Sequence, residues 1–283
     1  MNTLDETRKA ELILILISAI WGSTFPVMKL GIEDYPPITF VAFRFLIASL
    51  LMLIFLRKDI KTSQALPGLL VGLSLFLGFS FQVVGLKYTT SSNSAFITSL
   101  YMVFTPFVAI LLLKTRVKLI DWVALGLALL GTYLISNVGN FNYGDMLTVL
   151  AALSFAFQIV LVEYFGNLGI GLAFWQVFWN SMFSLAYAAI FEGLPMPREG
   201  STLFAIIYTA IMATAIAFAV QVKYQPKIDS HRAAIIYSAE PVFGHFFSFL
   251  ILGEVLSWKG YIGALLILIA VWLEISRENL ISD

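Results

Sequence analysis

The chain has 283 residues, of which 60% are hydrophobic and 12% are charged, and its mean hydropathy is +0.91. Because soluble domains carry about 25% charged residues, this composition excludes a soluble globular protein and indicates a membrane protein. The formal net charge is zero and cysteine is absent, which argues against a nucleic-acid partner, disulfides and thiolate metal sites. We therefore expect neither a cofactor nor a bound metal.

Ten apolar stretches follow one another along the chain, each about 20 residues long, the length that crosses roughly 30 Å of hydrocarbon. They lie at 11–31, 37–56, 66–86, 91–113, 119–136, 144–164, 170–191, 202–223, 231–251 and 258–275. Their apolar runs are continuous rather than alternating, which favours helices over barrel strands. The first stretch is too long for a cleaved signal peptide. The sequence predicts an all-α membrane protein with ten transmembrane helices.

Basic residues support this count, because cytoplasmic loops collect Lys and Arg. With the N-terminus inside, twelve Lys and Arg residues fall on the inner side and four on the outer side, and Arg44 lies within a span. A wrong number of spans would distribute the basic residues over both sides of the membrane. We therefore predict a multi-pass protein of the inner, cytoplasmic cell membrane with both termini in the cytoplasm.

The second half of the sequence repeats the first at an offset of 139 residues. The segment FQVVGLKYTTSSNSAFITSLYMVF (81–104) aligns with VQVKYQPKIDSHRAAIIYSAEPVF (220–243), and the offset pairs Gln82 with Gln221. Five spans per copy is an odd number, so the second copy must enter the membrane in the opposite direction. We predict two inverted five-helix repeats, residues 1–137 and 138–283.

The first stretch contains AIWGSTFPVMKLGI (19–32), in which aromatic, hydroxyl and proline residues are adjacent. Polar groups at membrane depth are tolerated where they face protein or a wet cavity. We expect this segment to line a cavity, with Pro26 freeing a backbone carbonyl toward it. The alternative is that its small residues allow close helix packing and that Trp21 fills space.

Arg44 in FVAFRFL is the basic residue placed well inside a span, where it costs about 2.5–3.5 kcal/mol on insertion scales. It could anchor the structure by snorkelling outward or by pairing with Glu33 or Asp34. The other interpretation is direct contact with an anionic group of a substrate.

The ninth stretch contains Glu240 followed by Pro241, which predicts a bend at that depth. A buried carboxyl group can hold a proton at neutral pH, so Glu240 is a candidate proton carrier. The alternative is a structural glutamate that accepts hydrogen bonds from Ser238 or the nearby backbone. The matched pair Gln82 and Gln221 could flank a central pathway or bond neighbouring helices.

The seventh stretch combines aromatic and amide side chains, which suit stacking on a flat or apolar substrate or, alternatively, packing against lipid and protein. The predicted substrate-cavity residues of the whole chain are Trp21, Ser23, Thr24, Phe25, Arg44, Gln82, Tyr101, Gln158, Trp175, Gln176, Trp179, Asn180, Gln221, Tyr237 and Glu240. The predicted helix breaks are Pro26, Pro106 and Pro241.

In the third stretch, Gly68 and Gly72 lie four residues apart, a spacing that lets helix backbones approach closely. We expect a contact within the chain, and therefore a monomer, with dimerisation as the alternative.

Two segments resemble a known family. WGSTFPVMKLGIEDYPPITFVAFRFLIASLLMLIFL is similar to the opening of the EamA-type branch of the drug/metabolite transporter superfamily, and SAEPVFGHFFSFLILGEVLSWKGYIGALLILIAVWL resembles the end of its second repeat. The first half departs from this pattern, because Tyr101 and Thr115 stand where the second half has Glu240 and Glu254. The resemblance implies export of amino acids and related metabolites or drugs.

These observations predict a secondary transporter of small metabolites, such as amino acids or related aromatic or amphipathic compounds, that works by alternating access and is coupled to protons through Glu240. The expected partners are a small-molecule substrate and the lipid bilayer. The alternative within transport is an exchanger or uptake carrier for another class, such as nucleotide sugars, which would need several basic groups in the cavity. An enzyme is disfavoured because His231 and His245 are separated and no triad or zinc site can be assembled.

Overall fold

The computed structural model describes residues 3–135, 142–253, 255 and 257–281. Within these ranges the regular structure is helical, and no strand occurs. The α-helices are α1 (Thr3–Gly31), α2 (Pro37–Phe55), α3 (Ala65–Leu86), α4 (Ser91–Thr98), α5 (Tyr101–Leu113), α6 (Leu119–Ile135), α7 (Tyr143–Tyr164), α8 (Gly171–Phe191), α9 (Gly200–Tyr208), α10 (Ala217–Tyr224), α11 (Ser230–Tyr237), α12 (Glu240–Leu252) and α13 (Trp258–Ile281). A π-helical segment, Thr209–Ile216, joins α9 to α10.

All ten predicted apolar stretches are helical along most of their length. In the described part of the chain, eight helical segments are long and apolar enough to cross a membrane. Helix α6 is apolar but shorter, and α8, 21 residues long with Gln176 and Asn180 inside it, is not among the eight. The chain is a multi-pass helical membrane protein, and the count of ten crossings stays a prediction.

Helices that are distant in sequence form the main contacts of the bundle. Helix α1 packs against α12, α3 against α7 and α8, α2 against α8, and α6 against α13. The outer surface is apolar, with large side chains such as Phe55 and Leu119 about four-fifths exposed. Such a surface is stable against lipid tails, so the polar side chains are directed into the bundle.

The fourth and ninth stretches, in which breaks were predicted at Pro106 and Pro241, are each divided in two. Ser99–Leu100 separates α4 from α5, and Ser238–Ala239 separates α11 from α12. The paired elements begin at Ser91 and Ser230 and end at Leu113 and Leu252, which is the 139-residue offset of the sequence repeat. Both copies therefore interrupt the same helix at the same position.

The three prolines expected to break helices behave differently. Pro241 lies in the first turn of α12, directly after the second interruption, where a missing N–H removes no helical bond. Helices α1 and α5 continue through Pro26 and Pro106 instead of ending there. Neighbouring hydroxyl groups donate to carbonyls of the preceding turn, as Thr105 does to Tyr101 at 2.7 Å, and such bonds let transmembrane helices tolerate proline.

Candidate functional site

A cavity lies inside the bundle at the level of the two helix interruptions. The space that the centres of water molecules can occupy is about 50 Å³, which is enough for roughly three to five waters. Its walls combine aromatic, aliphatic and polar side chains from nine α-helices: α1, α2, α3, α4, α5, α7, α10, α11 and α12. The lining residues are Trp21, Thr24, Arg44, Leu75, Phe79, Gln82, Thr98, Tyr101, Phe155, Gln158, Ile159, Phe218, Tyr237 and Glu240.

Glu240 and Tyr101 meet at this cavity because each begins the helix that follows an interruption. The Tyr101 hydroxyl donates a hydrogen bond of 2.9 Å to Glu240 Oε2. Ser238, expected as an alternative donor, instead donates to the Ile235 carbonyl at 2.5 Å. Tyr101 occupies the position of the first half that matches Glu240 in the second half. This position has no carboxylate, and its hydroxyl donates to the carboxylate of Glu240.

The first-stretch segment contributes to both a cavity wall and a close helix contact. Trp21 and Thr24 line the cavity, and the Trp21 indole N–H donates to the Ala213 carbonyl at 3.0 Å. At Gly22, an added Cβ would lie 2.7 Å from the Gly244 nitrogen, so α1 and α12 approach closely there. The two interpretations of this segment apply to different residues within it.

Arg44 is buried, with 1% of its surface exposed, and it borders the cavity. Its Nε donates to Thr214 Oγ1 at 2.8 Å, and its guanidinium carbon lies 4.5 Å from the centroid of the Phe79 ring. Glu33 and Asp34, the acidic partners considered from sequence, are exposed loop residues that form no ion pair with it. Arg44 is therefore held inside the bundle and does not reach the rim.

Four buried glutamines form a hydrogen-bonded ladder beside the cavity, and Gln158 is the member that lines it. Gln158 Nε2 donates to Gln176 at 3.2 Å and to Gln221 at 3.0 Å. Gln221 Nε2 in turn donates to Gln225 at 2.8 Å. Gln176 and Gln221 thus lie behind Gln158 and do not line the cavity themselves. Gln82 lines it directly and donates to Thr98 at 3.1 Å.

The other residues predicted for the cavity lie outside its lining. Trp175 and Trp179 donate from their indole nitrogens to the carbonyls of Lys61 and Ala65, at 2.9 and 3.0 Å, beside the start of α3. The remaining positions are Ser23, which shares a 2.6 Å hydrogen bond with Tyr208, the buried Phe25, and Asn180, which accepts from Ser184 at 2.9 Å. The aromatic face of α8 is used mainly for packing.

Sequence reasoning missed six lining residues, of which five are apolar and one, Thr98, is polar. They are Leu75, Phe79, Thr98, Phe155, Ile159 and Phe218. The repeat carried a signal for two of them, because Phe79 and Phe218 are 139 residues apart. Their rings meet edge to face with centroids 6.2 Å apart. Equivalent residues of the two repeats therefore touch at two points, the phenylalanine pair and the Tyr101–Glu240 pair.

A family model describes both halves of the chain. It matches residues 8–137 and again residues 142–275, and its description is the EamA-like transporter family. The chain belongs to this family.

Within residues 3–135, 142–253, 255 and 257–281, no group of three or more His, Asp or Glu side chains could hold a metal ion.

Proteins of similar sequence are named as transporters or efflux pumps. An uncharacterized transporter of Archaeoglobus fulgidus is 38% identical over 93% of this chain and 84% of its own length. A probable amino-acid metabolite efflux pump of Salmonella typhimurium is 22% identical over 95% of each chain. A solved crystal structure, 17% identical, superposes with a TM-score of 0.80 over 97% of this chain and 99% of that one, which shows a shared fold.

Proposed function

We propose that this EamA-family chain is a secondary transporter that exports small metabolites, such as amino acids or related aromatic or amphipathic compounds, by alternating access around the central cavity. The observation that carries the proposal is the position of the cavity, which lies where equivalent residues of the two halves meet. Transporters built from repeats bind substrate at the midplane between the repeats and expose it to each side in turn.

The proposal includes ten crossings arranged as two inverted five-helix repeats, residues 1–137 and 138–283. Three observations support it: two successive matches of one family model, helix interruptions 139 residues apart, and the contacts of Phe79 with Phe218 and Tyr101 with Glu240. Residues that contact their own equivalents lie on a two-fold axis. An odd number of helices per repeat places that axis in the membrane plane.

Proton coupling is assigned to Glu240 because it is a buried carboxylate in the lining of the cavity. Its hydrogen-bond partner, Tyr101, begins the equivalent helix of the other repeat. A carboxylate at that position contacts both repeats, so a proton on it can act on their relative arrangement.

The substrate class is drawn from the family and from the lining. The Salmonella typhimurium relative is named as a probable amino-acid metabolite efflux pump, and the aromatic walls suit compounds with an apolar body. Arg44 is the single basic residue of the lining, whereas a nucleotide-sugar carrier needs several cations for its phosphates. The relatives and the family are transporters, and we assign the chain no enzymatic role.

Transport is tested with the purified full-length protein in proteoliposomes loaded with labelled amino acids, with efflux measured under an imposed pH gradient. A filled cavity should stop efflux, so Leu75→Trp, in the lining, is compared with Leu77→Trp, on the exposed face of α3. Size-exclusion profiles verify folding. Efflux from wild type that does not exceed that of protein-free vesicles would overturn the proposal.

Orientation is tested by labelling, because the natural chain has no cysteine and any introduced cysteine is then the single thiol. We place both termini in the cytoplasm of a cell whose inner membrane holds the protein. Cysteines introduced at Thr3 and Asp283 should react with a membrane-impermeant reagent in inverted vesicles and resist it in intact cells. Opposite patterns at the two ends would contradict the even number of crossings.

A further inference from the structure

Arg44 leaves part of its hydrogen-bonding capacity unused. A guanidinium has five N–H donors, and two acceptors contact it: Thr214 Oγ1 from Nε at 2.8 Å and Met28 Sδ from Nη1 at 3.3 Å. Thioether sulfur is a weak acceptor. In the described part of the chain, no carboxylate forms an ion pair with Arg44. A buried cation without a counter-ion is costly, so an anion placed beside it gains a large interaction.

Arg44 belongs to the lining of the cavity. It is packed against Phe79, whose ring centroid lies 4.5 Å away, and beside Phe45 at 5.4 Å. These rings pack against the group, and a planar guanidinium fits a carboxylate through two parallel hydrogen bonds. The apolar lining contributed by Leu75, Phe155 and Phe218 fits the body of the same molecule.

Thr214 holds the arginine because the helix around it is π-helical. Its hydroxyl donates to the Thr209 carbonyl, five residues earlier, at 2.9 Å. With its proton used in this way, the hydroxyl oxygen accepts from Arg44. The same segment offers the Ala213 carbonyl to Trp21. Short π-helical segments occur frequently at functional sites, and this one positions two cavity residues.

We infer that Arg44, positioned by Thr214 of the π-helical segment, binds the carboxylate of the transported molecule, and that the substrate is a monoanionic or zwitterionic carboxylate with an apolar body. This inference rests on the proposed transport function and deepens it. One cation accepts a single carboxylate and does not match a diphosphate. Thr214 is a positioning residue, and Arg44 contacts the ligand.

The test measures binding to the purified full-length protein with two matched pairs of probes: phenylalanine with phenylalaninamide, and 3-phenylpropionate with its amide. Tryptophan fluorescence reports binding, because Trp21 lines the cavity. Wild type should bind each acid at least about tenfold more tightly than its amide, as expected for a charge-assisted bidentate contact. Arg44→Gln should remove this preference and leave the weaker binding of the amides.

Variants of Thr214 keep the inference testable if Arg44→Gln does not fold. Thr214→Val should reduce the acid-over-amide ratio by raising the dissociation constant of the acids, and Thr214→Ser, which keeps the hydroxyl, should restore it. Thr202→Val is the control, since its hydroxyl donates to the Gly31 carbonyl at 2.9 Å and does not contact Arg44.

Three results would overturn the inference. They are equal binding of acid and amide by wild type, an unchanged ratio in Thr214→Val, and displacement of the acids by chloride alone, which would indicate a site for an inorganic anion. Equal affinities combined with efflux of both probes would leave the transport function intact. If folded wild type shows no efflux at all, the proposed transport function is itself contradicted.

Discussion

The hydroxyl of Tyr101 donates a 2.9 Å hydrogen bond to the Glu240 carboxylate, and the two residues occupy equivalent positions, 139 residues apart, in the two halves of the chain. Each is the first residue of the helix that follows an interruption. The matching positions of the two halves carry different residues, which makes the pair a donor and an acceptor. Glu240 is the carboxylate of the cavity lining.

Replacing that carboxylate should uncouple transport from protons. Glu240→Gln keeps the shape and an acceptor for Tyr101 but cannot release or take up a proton near neutral pH. We expect substrate flux in proteoliposomes to lose its dependence on an imposed pH gradient. Glu33→Gln, in an exposed loop, should retain the wild-type dependence. If the flux of Glu240→Gln depends on the pH gradient as the wild-type flux does, Glu240 does not couple transport to protons.

Close packing between α3 and α8 should make Gly72 intolerant of a large side chain. An added Cβ there would lie 2.8 Å from the Gln176 carbonyl oxygen, whereas a Cβ at Gly126 of α6 would meet nothing within 4 Å. Gly72→Leu should destabilise the protein by about 1–3 kcal/mol or more through overpacking, seen as a lower Tm in detergent. Gly126→Leu should leave Tm nearly unchanged, and equal effects would refute this account.

Light scattering on the same two variants separates the two roles considered for the glycine pair. Gly72 faces α8 of its own chain. If the protein is a monomer, as expected from sequence, both variants should have the same molecular mass as wild type. A mass change in Gly72→Leu alone, without loss of Tm, would favour a dimer contact instead.

A buried ionic cluster joins α11 to α1 and α13. Arg232 donates to Glu11 at 2.7 Å and to Glu274 at 3.3 Å, and all three side chains are buried. Arg232→Ala leaves two buried carboxylates without this cation, so we expect a loss of about 3–5 kcal/mol. Lys227→Ala breaks the partly exposed ion pair with Glu6 and should change Tm little, because solvent screens such pairs. Thermal unfolding of both variants measures the difference.

Alkaline pH should reduce the contribution of Tyr35, in the loop between α1 and α2, to the stability of the folded protein. Burial, and then the Glu192 carboxylate, raise the pKa of Tyr35 to about 12, and its hydroxyl donates to the Pro195 carbonyl at 2.5 Å. The unfolded chain has a tyrosine pKa of about 10, so the folded state holds this proton more tightly. The resulting stability is complete below pH 10 and is lost as pH rises through about 12.

The difference in Tm between wild type and Tyr35→Phe isolates this contribution from other groups that titrate at alkaline pH. That difference should narrow as pH rises from 10 to 12. Tyr88→Phe, which removes an exposed hydroxyl, is the control variant. A constant difference for Tyr35→Phe would contradict the assignment.

Sequence located the helical stretches because hydropathy is a local property: a run of about 20 apolar residues is stable in hydrocarbon only as a helix. It also gave the 139-residue offset, which the helix bounds of α4, α5, α11 and α12 share. Pro241 marked the interruption before Glu240, whereas the interruption before Tyr101 was not visible locally, since Pro106 lies inside a continuous helix.

The composition of the cavity was only partly readable from the sequence. Polarity at membrane depth identified Arg44, Gln82 and Glu240, which line it. The aromatic residues of the seventh stretch also suggested Trp175 and Trp179, whose indole groups are instead hydrogen-bonded to the backbone at the start of α3. A polar residue in a span must face protein, but its sequence neighbours do not specify which protein surface it faces.

The sequence by itself determined that this protein is a helical membrane protein, because lipid imposes its requirement on each segment separately, and it carried the pattern of the EamA-like family. The tertiary structure decided which side chains share one cavity: Phe79 beside Phe218, Tyr101 on Glu240, and Thr214 on Arg44. These contacts join helices distant in the chain, and they depend on how the helices are rotated and packed, which no local pattern of residues contains.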